Sequence, residues 1–300
     1  MSNPIFVIGG PTASGKSALA LKLAQQQNGI ILNADSMQIY DGLHTLTAQP
    51  PAEDQDKAPH EFYSHLHPND DSSAGNWREM VMPRIEEIIV QGKTPIIVGG
   101  SGLYINALIY GLSPIPDIPD DIRAAAGAKQ KELGNPAFHA ALAEKDPVMA
   151  QRLDPHNTAR LVRAWEVFEL SGKSLAEWQE LPKETPPDDW EFHVSLMMPE
   201  RDVLYDRCNQ RLYQMIENGA LEEIEAFQAR IESGEVKENA LLTHALGYQP
   251  LLNYIQGNLR KNEAITLAQG ETRRYAKRQV TWFKHQIKKE DVKSLEIIQS

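Results

Sequence analysis

The chain has 300 residues, 41% hydrophobic and 24% charged, with a formal net charge of −11. That length is enough for one sizeable core and a second, smaller lobe, and the acidic balance argues against indiscriminate attraction to nucleic acid without saying where the basic residues lie. A single cysteine, Cys208, excludes an internal disulfide framework and a cysteine-rich zinc site. No apolar run approaches the length of a membrane span and the N-terminus enters a strand-like stretch directly, so a soluble, cytoplasmic protein without a signal peptide is expected.

Ile5 to Ile8 form a short apolar run ending in Gly9-Gly10, followed by a loop and an amphipathic stretch from Lys16 to about Gln27: strand, loop, helix. Ile30 to Leu32 repeats the strand signal and ends in Asn33-Ala34-Asp35. From Trp77, apolar residues at Met80, Val81, Ile85, Ile88 and Ile89 have helical spacing, closed by Gln91-Gly92. Pro95 to Val98 gives a third strand, stopped by Gly99-Gly100. Continuously apolar strands alternating with helices predict a parallel sheet covered on both faces. Such sheets bind ligands at the carboxyl ends of their strands, which is where Gly10, Asp35 and the turn Gly99 to Ser101 fall.

Pro114, Pro116 and Pro119 mark a linker over residues 112 to 121. Residues 121 to 181 carry helical spacing and no strand candidate, and the proline-bearing LPKETPPDDW closes them. Phe192, Val194, Leu196 and Met198 then alternate, as in a strand returning to the sheet. From Glu200 to the end the pattern is helical, broken near Gly234, Gly247 and Gly257. The expected fold is therefore α/β: a P-loop-type parallel sheet flanked by helices, with a core domain of residues 1–115 and 192–300 and a helical insertion domain of residues 116–191. A monomer is expected, since the pattern offers no symmetric apolar surface.

Gly10-Pro11-Thr12-Ala13-Ser14-Gly15-Lys16-Ser17 matches GxxxxGK[ST], the loop whose inward N–H groups cradle phosphates. Lys16 adds positive charge, the following helix adds its N-terminal dipole, and Ser17 can ligate Mg2+. Nucleotide-hydrolysing relatives of this loop place an aspartate on a neighbouring strand to hold the metal, yet the third strand ends in Val98-Gly99-Gly100. The carboxylate at a strand end is Asp35, whose position suits a metal-associated group, a base, or a turn residue. A small-metabolite kinase and a nucleotide-dependent RNA-binding protein both remain open on these residues alone.

Taken together, GPTASGKS, NADSMQIY, TAQPP followed by APH, IIVGGSGLY, ARLVRAWEVFELSGKS and AKRQVTWF closely resemble bacterial tRNA dimethylallyltransferases, from about residue 5 to 284. The resemblance implies transfer of a dimethylallyl group from its diphosphate to the exocyclic N6 of the adenine 3′-adjacent to the anticodon, with Mg2+ as cofactor. It implies that Thr12 to Ser17 hold the diphosphate, that Asp35 is the general base, and that Arg211 supplies further positive charge. For tRNA it implies contacts from Asp35, Ser36, Met37 and Gln38, from Ser101 and Arg123, and from Ala159, Arg160, Leu161, Val162 and Arg163. Contacts are also implied around His244, Gly247 and Tyr248, and along Ala276, Lys277, Arg278, Gln279, Trp282 and Phe283, within a basic, aromatic stretch of an acidic protein. Three departures accompany the match: Ser101 stands where threonine is usual, Ser17 where threonine is common, and Thr243 to Gln249 lacks the usual flanking basic residues. His60, His65 and His67 fit no standard zinc spacing and are expected to make local hydrogen bonds.

Overall fold

The computed structural model describes residues 2–299. Two compact units emerge: Tyr110–Thr185, and the remainder of the chain on both sides of it. The apolar runs of the first part become β1 (Asn3–Gly9), β2 (Gly29–Asn33) and β4 (Thr94–Gly99), with a two-residue strand β3 (His60–Glu61) between the latter two in sequence. Every residue of β2 is buried, as are Ile96 to Gly99 in β4, which accounts for their lack of apolar–polar alternation. Between them run α1 (Lys16–Gln27), the short α2 (His44–Thr47) and α3 (Ala52–Lys57), α4 (Ala74–Val90), and then α5 (Gly102–Tyr110). Ser73 caps α4 by accepting from Asn76 N, and the helix buries Trp77, Val81, Ile85 and Ile88, the spacing read from the sequence.

The Tyr110–Thr185 unit is helical: α6 (Asp120–Lys145, interrupted at Gly134 with φ 70°), α7 (Pro147–Arg152), α8 (Thr158–Ser171) and α9 (Leu175–Glu180). Phe138, Leu142, Leu161, Ala164, Trp165 and Val167 form its core. Asp146 ties it together, accepting from Met149 N at the start of α7 and from the Ser174 hydroxyl that caps α9. Its limits lie about six residues before the expected 116–191. The reason is an antiparallel bridge between Leu112 and Glu184, whose amide donates to Leu112 O at 2.9 Å, so the first part of the proline-bearing stretch belongs to the unit.

The remaining elements are β5 (Trp190–Met197), α10 (Arg201–Glu217), α11 (Ala220–Glu232), α12 (Tyr248–Ile255), α13 (Lys261–Gln286) and β6 (Ser294–Ile298). Six parallel strands form one sheet in the order β3-β2-β4-β1-β5-β6, which puts β1 and the loop that follows it at the centre. The last strand corrects the expectation of helix to the end of the chain. Extended backbone at Ile287 stops α13, and Ser294 to Ile298 add to the free edge of β5, in register His193 with Ser294. Among the described residues no helix is long and apolar enough to cross a membrane.

Candidate active site

The phosphate loop follows the central strand. Gly10 has φ 147°, and a Cβ there would lie 2.4 Å from Met197 O, so a side chain is excluded where the loop turns off the sheet. Ala13 takes a left-handed φ of 61°, and α1 starts from Gly15 without a side-chain cap, leaving the N–H groups of its first turn available to an anion. Lys16 folds back, its Nζ donating to Pro11 O at 2.7 Å. Burial lowers the Lys16 pKa from 10.5 to about 8, with Arg211 adding to the drop and Asp35 opposing it. The Ser14 hydroxyl is buried with no partner, whereas Ser17 is exposed at the first turn of α1.

Thr12 is held from two sides. Its amide donates to Gln279 Oε1 at 2.9 Å, and its hydroxyl accepts from Arg211 Nη2. Desolvation pushes the Arg211 guanidinium below its usual pKa, a cost that an approaching anion would offset. Gln279 also donates through Nε2 to Gly100 O at 2.9 Å, so one side chain of α13 joins the phosphate loop to the turn after β4.

Asp35 stands at the end of β2. Its amide donates to Asn33 Oδ1 at 2.9 Å and its Oδ1 accepts from Met37 N at 3.0 Å, a local turn that fixes the carboxylate. Asn33, fully buried, is itself held: Nδ2 donates to the carbonyls of Asp35 and Phe62, and its own carbonyl accepts from Trp77 Nε1 at 2.8 Å. The double glycine after β4 is required by close approach. A Cβ on Gly99 would sit 1.9 Å from Ala34 O, and one on Gly100 would sit 2.4 Å from Gln279 Nε2 and 3.3 Å from Asp35 Oδ2. Ser101 braces the same corner, its Oγ accepting from Ser36 N at 2.8 Å and donating to Ser36 Oγ at 3.1 Å.

These residues surround one cleft of about 670 Å3, lined by Thr12 to Ser17, Asp35, Met37, Gln38, Arg211, His244 and Arg278. Lys16, Arg207, Arg211 and Arg278 face it against Asp35 and Asp54, giving a positive excess inside an acidic protein. Leu46 to Pro51 form a further part of the wall. It is clamped by Glu223, whose two carboxylate oxygens accept from Thr45 N and Leu46 N at 2.9 Å each, and by Gln38 Nε2, which donates to Thr47 O and Ala48 O.

The expected tRNA residues divide by exposure. Lys277 and Arg278 are exposed on α13, and Trp282 is half-buried, its ring lying where a Cβ on Gly102 would be. By contrast Ala276, Gln279, Phe283 and Tyr248 are buried, Tyr248 donating from its hydroxyl to Gln228 Oε1 and Phe283 filling space against Gly9. Those four side chains are packed within the core domain rather than displayed at its surface. Gly247, φ 86°, starts α12, and its amide donates to Glu271 Oε2. In the helical unit, Arg123, Ala159 and Arg160 are exposed, Val162 and Arg163 half-buried, and Leu161 buried in the core. Arg163 reaches Glu166 at 3.6 Å. His60 bonds Ala58 O through Nδ1, and His67 Nδ1 accepts from Asn69 N.

The IPP transferase family model matches residues 38–286. The chain is 44% identical over 286 residues to a tRNA dimethylallyltransferase of Rhodospirillum centenum, covering 95% of this chain and 90% of that protein. It is 45% identical to one from Paramagnetospirillum magneticum, with 95% and 89% covered. Among solved structures, it aligns with the full-length tRNA isopentenylpyrophosphate transferase from Bacillus halodurans at 32% identity and TM-score 0.66, covering 100% of this chain and 90% of that one. A eukaryotic dimethylallyltransferase acting on tRNA aligns at TM-score 0.81 and 26% identity, with 99% and 74% covered. On the family match over most of its length and on relatives at this identity, the chain belongs to the IPP transferase family.

Proposed function

We infer that the protein transfers the dimethylallyl group of dimethylallyl diphosphate to N6 of the adenine 3′-adjacent to the anticodon in tRNA, giving N6-isopentenyladenine and diphosphate. The observation that carries this reading is the meeting of the phosphate loop and Asp35 in one cationic cleft, in a chain of this family. The loop amides, Lys16 and Arg211 gather charge where an allylic diphosphate leaves. As the N6–C1 bond forms, the C1–O bond breaks and its electron pair departs on the diphosphate. The N6 proton passes to Asp35, whose carboxylate is oriented by the Met37 amide.

A divalent metal fits the donor set. The exposed Ser17 hydroxyl is a hard oxygen donor facing the cleft, and together with diphosphate oxygens and water it would hold Mg2+, an ion that favours substrate phosphates over an all-protein cage. Bound there, the metal would neutralise charge on the departing diphosphate. On the nucleic-acid side, the target adenine must leave its stack to reach Asp35. Met37 and Gln38 border that point, and the exposed Arg274, Lys277 and Arg278 supply phosphate contacts. Arg123, Arg160 and Arg163 of the helical unit supply others.

Incubation with dimethylallyl diphosphate, Mg2+ and unmodified tRNA, followed by digestion to nucleosides, tests this. N6-isopentenyladenine at the position after the anticodon is the expected product. A protein that binds both substrates and yields none would refute the reading.

A further inference from the structure

Two residues with left-handed backbone flank one of the two tyrosines that line the cleft: Phe62 has φ 63° and Ser64 φ 46°, with Tyr63 between them. Neither flanking residue is glycine, and a left-handed φ is unfavourable for any L-residue. Such strain persists only where neighbours over-determine it, and here they do. Phe62 O accepts from Asn33 Nδ2 at 3.0 Å, Ser64 N donates to Gln38 O at 3.1 Å, Ser64 Oγ donates to Gln49 Oε1 at 2.8 Å, and His65 N donates to Ile39 O at 2.7 Å. Asn33 and Gln38 flank the segment that carries Asp35, so the strained turn is locked to that segment.

The tyrosine ring packs on a core cluster that includes Ala20, Ala24, Ala58, Val98 and Met197 and meets the His60 ring edge-on at 5.8 Å. It lines the same cleft as Lys16 and Arg211. Tyr63 is half-buried, and its hydroxyl, which makes no hydrogen bond to the described residues, is available to a group bound in the cleft. Burial, and secondarily the Asp35 charge, push the phenol pKa up, so it is a proton donor at any working pH.

We propose that Tyr63 is a substrate-binding residue whose hydroxyl donates to a diphosphate oxygen in the cleft that it shares with Lys16 and Arg211. The assignment rests on the inferred prenyl-transfer reading for the identity of the anion. The strained turn fixes a half-buried phenol, its hydroxyl not bonded to protein, in the lining of the cleft.

Calorimetric titration of the full chain with inorganic diphosphate and Mg2+, without tRNA, tests it in the wild type and in Tyr63→Phe. The ring is kept, so the melting temperature should not change, while the affinity should fall roughly tenfold, as for a hydrogen bond to a charged group. In the transfer assay the same variant should raise KM for dimethylallyl diphosphate and leave KM for tRNA unchanged. Equal diphosphate affinity in wild type and Tyr63→Phe would overturn the proposal and reduce Tyr63 to a packing residue. Because the titration needs no transfer, weakened diphosphate binding by Tyr63→Phe would uphold the assignment even in a protein that failed to prenylate tRNA.

Discussion

Gln279 bridges two loops far from it in sequence: it accepts from the Thr12 amide, 267 residues earlier, and donates to the Gly100 carbonyl, 179 residues earlier, each at 2.9 Å. The side chain is buried and both of its amide atoms are used. The geometry of the phosphate loop therefore depends on the last long helix.

Replacing Gln279 by Leu keeps the volume but removes the partner of the part-buried Thr12 amide and strands the buried Gly100 carbonyl, the latter costing about 1–3 kcal/mol. The melting temperature should drop and diphosphate affinity should weaken with it. Gln279→Glu should be no better, since a carboxylate accepts from Thr12 but cannot donate to Gly100 O. Thermal unfolding and diphosphate titration of both variants check this. An unchanged affinity in Gln279→Leu would show that the loop keeps its shape without the bridge.

The lowered pKa of Lys16 predicts a pH dependence. In the ligand-free protein this lysine loses its proton as pH rises through about 8, so diphosphate affinity should decline above that pH, by at most about tenfold per unit. Stability moves the other way. Between about 8 and the unfolded value of 10.5 the unfolded chain holds more protons, so Lys16 contributes a destabilisation that is full below 8 and relieved as pH approaches 10.5. In Lys16→Met, diphosphate binding should be weak and flat across the same range. A wild-type profile parallel to that of Lys16→Met would remove Lys16 as the titrating group.

On α13, the buried residues Ala268, Thr272, Ala276, Gln279 and Phe283 follow helical spacing, and Arg274, Lys277 and Arg278 lie between them, exposed. Arg278 also stacks over the Tyr275 ring at 5.4 Å. Charge reversal at Arg274 and Arg278 should weaken tRNA binding and flatten its salt dependence, by about one unit of log–log slope for each phosphate that the helix no longer neutralises. Affinity measured from low to high salt decides: an unaltered slope would mean that this face is simply solvated.

The phosphate loop, β1, β2, β4 and the strand-end position of Asp35 were legible because they rest on local signals: apolar runs, glycine spacing and a helix start. What escaped was non-local. Gln279 sits in a run of lysine and arginine that reads as surface, and its partners come from two other strands' loops. Tyr63 lies in a segment whose histidines draw attention, and nothing in Phe62 or Ser64 announces a left-handed backbone. Glu223 looks like any helix-surface acid, yet caps Thr45 and Leu46 across 178 and 177 residues. The strand Ser294–Ile298 is mostly exposed at a sheet edge with one neighbour, so its sequence carries no clean alternation.

In the proposed reaction the phosphate loop grips a prenyl diphosphate while Asp35 accepts the proton of the attacking amine. Single-turnover transfer from a preformed complex of protein, dimethylallyl diphosphate and tRNA, compared between wild type and Asp35→Asn, addresses both roles directly. Asp35→Asn is predicted to bind both substrates within a few-fold of wild type but to form isopentenyladenine about a hundredfold or more slowly, the usual scale when a general base is removed. Transfer at the wild-type rate by Asp35→Asn would contradict that assignment.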